Sequence, residues 1–586
     1  MAVKNVEVEV PKTPIEEDIK APGWFQQLSD VADYWKNELV ALLLHQRKPS
    51  YAQTLMDKAT TFDQWTAAAE MLDKIEGTII NLSHSWSWGA DVIQLGHDKW
   101  KANPVSSDYD YRLVQDRLAQ LKKIRESGDL MSMIYYLRTS ITRNLGDCGN
   151  YKLFGVAHLG TKNLIDEYQE EVMTMLKTIC DMEAPDQVDE SFKYDCFMNM
   201  QKAFGRTALL LSGGGTFGLA HLGVLKALHE AKLLPKIVSG SSVGSLIAGI
   251  LCVRTDEEIG QLFCRETYNL NTFERPGEGN LYLRLTRFLR HGVIYDGEVF
   301  RESVKENLKG VGNNNTRGDM TFLEAFNRTK RILNITVSSS TVYEMPRLLN
   351  YLTAPNVLIY SAICCSCAIP FVYRSAPLLM KDRSGKVTAW NPSGQVWIDG
   401  SVENDLPMAR ISELFGVNHF IVSQVNPHVV PFMQTSFSPS LISRLVGSTS
   451  SVLRSELQHR LGQLSDVGLS SSLTYRAQAI LVQKYYGDVT IVPTMTISDY
   501  GRIVTNPTTD LFNRYLISGE QSTWPLIPLM RNHIQIEMCI SECMYSLRTK
   551  KLAGMKQDER EGWKKIGQRL NGVEKDVIIS QPDLSR

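Results

Sequence analysis

The stretch "RTALLLSGGGTFGLAHLGVLKALHEAKLLPKIVSGSSVGSLIAGILC", from Arg206 to Cys252, limits the fold more than any other part of the chain. It reads as a short apolar strand ("TALLL"), a glycine turn, a helix, a second strand ("KIV"), a second small-residue turn and a second helix. Strand-turn-helix repeated at this spacing is a βαβ unit, so a parallel sheet with helices on its faces is expected. Further strands are expected at "RILNITVSS", "QVWI" and "HFIVSQV". The fold class is therefore α/β, a parallel-sheet core flanked by helices.

Both turns carry chemistry. Gly240-Ser241-Ser242-Val243-Gly244 fits G-x-S-x-G with Ser242 central. A nucleophile elbow needs this arrangement: a sharp strand-to-helix turn with small flanking residues, so that the serine hydroxyl stands clear. The helix that follows places its positive N-terminal end beside Ser242. The first turn, Gly213-Gly214-Gly215-Thr216-Phe217-Gly218, also fits the dinucleotide fingerprint G-x-G-x-x-G. That reading demands an acidic residue at the end of the next strand. Here the strand runs into Ser239-Gly240, so the fingerprint fails at its most specific point. The glycine triplet serves better as a source of backbone N–H donors for an oxyanion.

A serine needs a base. "VWIDG" ends an apolar strand with Asp399 and Gly400, putting a carboxylate at the rim of the same sheet. Asp296-Gly297 repeats the dipeptide and reads as a turn. A Ser-Asp-His triad would call on His428 in "SQVNPH". His221 reads as a residue that orients the glycine loop or packs in its helix. His291 and Asp296 fit the acyltransferase pattern H-x4-D, but eleven histidines make a chance match ordinary.

The rest of the chain divides by texture. Residues 1–60 read as a mobile segment followed by an amphipathic helix through Trp24, Trp35 and Leu42. Residues 61–200 read as a helical region, 206–430 as the catalytic domain, 431–550 as a helical extension and 551–586 as a charged, disordered tail. A leucine stripe at 453, 457, 461 and 464 is either an interfacial helix or a core helix. "SAICCSCAIPFVY" is core or an acyl-pocket wall. Lys plus Arg number 63 against 64 for Asp plus Glu, which excludes the broad basic face of a nucleic-acid binder. No secretory signal opens the chain, which favours an intracellular protein. No stretch reaches the roughly 18 apolar residues of a membrane span, so any membrane contact is peripheral. The ten cysteines show neither disulfide rhythm nor zinc-site spacing, and no metal is expected.

"SGGGTFGLAHLGVLKAL", "GSSVGS" and "DGS", in this order, resemble the patatin-like phospholipases and lipases. "RNLGDCGNYKLF", "GTKNLIDEYQEEV", "DGSVENDLP", "QKYYGDVTIVP" and "GEQSTWP" resemble one branch, the intracellular triacylglycerol lipases of fungi and plants. The resemblance covers about residues 60 to 545. It implies a Ser-Asp dyad with no catalytic histidine and no cofactor: Ser242 as nucleophile, Asp399 as base, Gly213, Gly214 and Gly215 as oxyanion loop, and Gly218, Gly240, Gly244 and Gly400 as motif glycines. The sequence departs from the wider family at Ser401 and at Thr216-Phe217, which leaves the substrate open. The implied substrate is triacylglycerol or glycerophospholipid at a lipid-water interface. The implied location is a lipid-droplet surface or the periphery of the endoplasmic reticulum, with a cytosolic pool. Phospholipase or lysophospholipid acyltransferase activity with the same dyad, and a non-catalytic lipid-droplet protein, stand as alternatives. Protein partners are not indicated.

Overall fold

The computed structural model describes residues 51–83, 97–182, 190–277, 281–309, 317–339, 346–391, 397–430, 456, 483 and 485–554. The helix through Trp24, all four leucines of the stripe and the charged tail beyond Gly554 lie outside them.

A seven-stranded sheet forms the centre. Its strands are β1 (Arg206–Leu211), β2 (Ile237–Gly240), β3 (Ile332–Ser339), β4 (Arg347–Leu349), β7 (Trp397–Asp399), β8 (Val417–Ser423) and β9 (Val489–Ile491). The order is β4-β3-β2-β1-β8-β9, and β7 pairs with β3 off this path. β1 pairs parallel with β2 and β8, β2 with β3, and β8 with β9. β4 and β7 pair antiparallel with β3, so the sheet is mixed where the sequence suggested a parallel one. A small ribbon, β5 (Leu379–Lys381) and β6 (Val387–Ala389), stands apart. β9 lies in the region that sequence periodicity assigns to helix, and its three residues are too few to show a period of their own.

Alternation along the strands divides the core. Leu209, Leu211 and Val238 point into the large cluster, while Ala208, Leu210 and Ile237 point into a second one closed by Ile411 and Phe415. Nine helices matter for the site and its support: α1 (Tyr111–Ser127), α2 (Asn163–Asp181), α3 (Glu190–Phe204), α4 (Ala220–Glu230), α5 (Val243–Cys252), α6 (Leu281–His291), α7 (Ile359–Ser366), α8 (Thr509–Thr523) and α9 (Ile527–Gly554). α4 and α5 follow β1 and β2 as the βαβ reading requires. α9 packs along α2 and α3, which joins the last long helix to the region that precedes the sheet.

α8 lies on α4 through two glycines. A Cβ at Gly223 would stand 1.9 Å from the carbonyl oxygen of Leu516, and one at Gly519 would stand 2.1 Å from that of Ala220. Only bare backbone permits this approach. Gly223→Ala should destabilise the protein by about 3 kcal/mol, the upper end for overpacking, because the obstacle is main chain. Urea unfolding measures this, and a variant as stable as wild type would disprove the contact.

Candidate active site

The second turn is an elbow. Ser242 ends the link between β2 and α5 with φ 49° and ψ −129°, a conformation that L-residues rarely hold. Such strain persists only where surrounding bonds over-determine it. Here the N–H of Ser242 donates to Ser366 Oγ at 3.0 Å, and Ser366 Oγ donates to the Thr336 carbonyl at 2.8 Å. The Ser242 carbonyl accepts from Ser245 N–H at 2.9 Å and Ser245 Oγ at 2.6 Å. Gly240 and Gly244 make the bend possible, since a Cβ on Gly240 would meet the Gly244 carbonyl oxygen at 2.2 Å.

The first turn lies against the elbow. A Cβ on Gly213 would fall 3.3 Å from Ser242 Cβ and 3.1 Å from Ser401 Cβ, so this glycine sits between the elbow and the segment after Asp399. Its N–H is already engaged, donating to Asp405 Oδ1 at 3.0 Å. The N–H groups of Gly214 and Gly215 find no acceptor among the described residues. Thr216 closes the turn, its N–H and Oγ both donating to the Ile503 carbonyl at 2.9 Å. Gly218 packs beneath, where a Cβ would strike Val243.

Asp405 is the residue that sequence reading missed. Its Oδ1 also accepts from Ser241 Oγ, and its Oδ2 accepts from Asn426 Nδ2 at 2.6 Å. Burial pushes its carboxyl up to about 6, and the Ser241, Gly213 and Asn426 donors hold it back from rising further.

Asp399 ends β7 opposite Val337. It is fully buried, and Oδ1 accepts from Ser401 N–H at 2.8 Å, just past Gly400. Oδ2 has no hydrogen-bond partner among the described residues. Burial pushes the carboxyl up from 3.8 to about 7, against the bonds from Ser401 and the nearby Ser242 hydroxyl that favour the charged form. Resting-state catalytic hydrogen bonds are often loose and tighten only with substrate. A carboxylate with one uncommitted oxygen and a pKa near neutrality can accept a proton at physiological pH.

Ser242 opens onto an apolar cavity of about 90 Å³. Leu246, Ile250, Leu270, Phe273, Ile369 and Tyr373 form much of its wall, and among the described residues no charged side chain lines it. The run "SAICCSCAIPFVY" thus fills both expected roles: Ile363 and Cys365 belong to the core, while Cys367, Ile369, Val372 and Tyr373 face the cavity. Val504 and Pro507 reach it from beyond residue 430.

The histidines stand elsewhere. His221 is buried between Ser423 Oγ (2.7 Å) and the Ser212 carbonyl (3.0 Å), where burial lowers its pKa to about 4; it ties the ends of β1 and β8 together. His428 Nε2 meets the Tyr485 hydroxyl at 3.2 Å and does not line the cavity. His291 and Asp296 border a separate polar cavity of about 440 Å³, away from Ser242. All ten cysteines are free thiols. Among the described residues no cluster suits a metal ion, and no helix is long and apolar enough to cross a membrane.

A largely parallel sheet with a strained serine at one strand end and a buried aspartate beside it defines an α/β protein of the patatin type. A family model described as patatin-like phospholipase matches residues 209–410, and one described as a domain of unknown function (DUF3336) matches residues 91–202. The chain belongs to the patatin-like family, in the group that includes the triacylglycerol lipases of yeasts and plants. It is 36% identical to triacylglycerol lipase ptl3 of Schizosaccharomyces pombe, covering 83% of this chain and 95% of that one. It is also 36% identical to triacylglycerol lipase 4 of Saccharomyces cerevisiae over 83% of this chain, but spans only 52% of that protein. Triacylglycerol lipase SDP1L of Arabidopsis thaliana is 34% identical over 86% of this chain and 59% of its own. Among solved structures, VipD from Legionella pneumophila shares 17% identity over 56% of this chain and 68% of its own, with a TM-score of 0.29, a likeness too slight to bear on function.

Asp399 and Asp405 both titrate higher in the folded chain than in an unfolded one. The folded protein therefore holds more protons between pH 3.8 and about 7, and stability falls as pH rises through that window. Asp399→Asn removes one of these groups and keeps the acceptor for Ser401 N–H. Its unfolding free energy should exceed that of wild type by a few kcal/mol at pH 8, on the order of the shift itself, and by clearly less at pH 5. Equal gains at both pH values would show that this carboxyl is not raised.

Proposed function

We propose that the protein is a serine acyl hydrolase that releases fatty acids from triacylglycerol by a Ser242-Asp399 dyad. The observation that carries this reading is the strained Ser242, facing an apolar cavity, with the unpartnered Oδ2 of Asp399 beside it. Asp399 takes the hydroxyl proton as Ser242 Oγ attacks the ester carbonyl. The tetrahedral oxyanion is received by the free N–H groups of Gly214 and Gly215, near the N-terminal end of α5, with Gly213 holding the loop in place. Collapse breaks the bond to the glyceride oxygen, which leaves with the proton from Asp399. Water then attacks the acyl-serine, Asp399 accepts its proton and returns one to Ser242, and the fatty acid departs.

A neutral ester suits the cavity better than a phospholipid. Among the described residues its lining holds no cation to pair with a phosphate, and burying a phosphate without one is costly. The names of the relatives agree with this choice. The enzyme would act at the surface of a lipid droplet or of the endoplasmic reticulum, and its catalytic unit spans 206–430 with the cavity completed by the C-terminal segment.

Fatty-acid release from a triolein emulsion and from phosphatidylcholine vesicles tests the proposal. Wild type should hydrolyse the emulsion preferentially. Ser242→Ala and Asp399→Asn should each lose at least about 100-fold, the scale of general-base catalysis, whereas His428→Ala should stay near wild type. A dead His428→Ala variant would replace the dyad by a triad, and preference for vesicles would make the protein a phospholipase.

Because Asp399 must be ionised to accept the proton, the rate should rise with pH and level off above about 7. A profile flat between pH 5 and 8 would mean that another group is the base.

A further inference from the structure

α6 turns large apolar side chains to solvent. Around a helix at about 100° per residue, Leu285, Phe288 and Leu289 fall on one side of "LYLRLTRFLRH", and Arg284, Arg287, Arg290 and His291 on the other. A surface helix normally turns its apolar side to the core. Here Arg284 turns inward, forming a two-pronged pair with Glu274, at 2.6 and 2.8 Å, and lying over the ring of Tyr295, while Arg290 and His291 stay exposed. The apolar side faces solvent, with Leu285 56% and Leu289 74% exposed. Phe371, 54% exposed, adds to it, since its carbonyl accepts the Ile294 N–H three residues after α6.

The position of this stripe ties it to the cavity. Tyr295, beneath Arg284, packs against Phe273 and Tyr373 with ring centroids 5.3 and 6.0 Å apart, and both of those rings line the wall beside Ser242. α6 carries no acidic residue, and exposed Arg290 and half-buried Arg287 make the helix cationic. An exposed apolar stripe on a helix whose charged side chains are all cations is matched by an anionic lipid surface. A single eleven-residue helix is also far short of the ~800 Å² per partner that a stable protein dimer buries.

We propose that α6, with Phe371, is the surface by which the protein docks on an anionic phospholipid layer, holding the mouth of the Ser242 cavity against the lipid. This rests on the proposed lipase reading for its purpose, but the binding itself does not depend on catalysis. The test is flotation of the full chain with vesicles of phosphatidylcholine alone and with one-third phosphatidylserine. Hydrolysis of a phospholipid-coated triolein emulsion and of the soluble ester p-nitrophenyl butyrate is measured alongside. Leu285→Glu/Leu289→Glu should float at least about tenfold less and lose emulsion hydrolysis in parallel, with soluble-ester hydrolysis and melting temperature unchanged. Arg287→Glu/Arg290→Glu should lose the preference for phosphatidylserine. Ser242→Ala should float like wild type. Undiminished flotation of the leucine variant overturns the proposal, as does light scattering that shows a wild-type dimer dispersed by that variant while flotation persists. If wild type hydrolyses neither ester yet floats through α6, the lipase reading falls and the docking surface stands.

Discussion

The carboxylate of Asp405 fixes the mutual positions of the parts around Ser242. One oxygen receives the N–H of Gly213 and the hydroxyl of Ser241; the other receives the amide of Asn426. These donors come from the turn after β1, the elbow after β2 and the segment after β8. A buried carboxylate is costly when alone, and three donors converging on it offset that cost only if all three segments are in place. The arrangement is therefore cooperative. It also engages the Gly213 N–H, whereas those of Gly214 and Gly215 find no acceptor among the described residues.

Asp399 is held differently. It accepts from Ser401 N–H and lies near the Ser242 hydroxyl, and burial raises its proton affinity as it does that of Asp405. Two aspartates six positions apart in one short segment thus receive different numbers of donors among the described residues.

This difference explains what could be read from the sequence. Ser242, the glycine turn and Asp399 are legible because each belongs to a local pattern of strand, small residues and turn. Asp405 and Ser366 are not. In "DGSVENDLP" and "ICCSCAIP" they look like a helix-terminal residue and a core serine, and their importance lies in partners 164 and 124 positions away. β7 was visible as a strand, but its antiparallel pairing with β3 depends on a chain reversal that periodicity cannot reveal. For α6, the sequence shows a stripe of leucines and a stripe of arginines. That Arg284 turns inward while Leu285 and Leu289 stay exposed is decided by Glu274 and Tyr295, residues outside the helix.

The motif "RNLGDCGNY" has its own explanation at the other end of the sheet. Arg143 binds the His533 carbonyl at 2.7 Å and Glu537 at 3.1 Å, while Glu537 accepts from the N–H of Thr207 on β1 at 2.9 Å. His419 on β8 meets His533, which in turn meets the Gly149 carbonyl at 3.2 Å. The first helical region, the sheet and α9 are locked together by this buried cluster. α2 and α3 lie more than 300 residues ahead of the helix that covers them. On a ribosome, their apolar faces emerge long before α9 exists. The native layer can close only after α9 has been made, so its assembly waits on residues far downstream of α2 and α3.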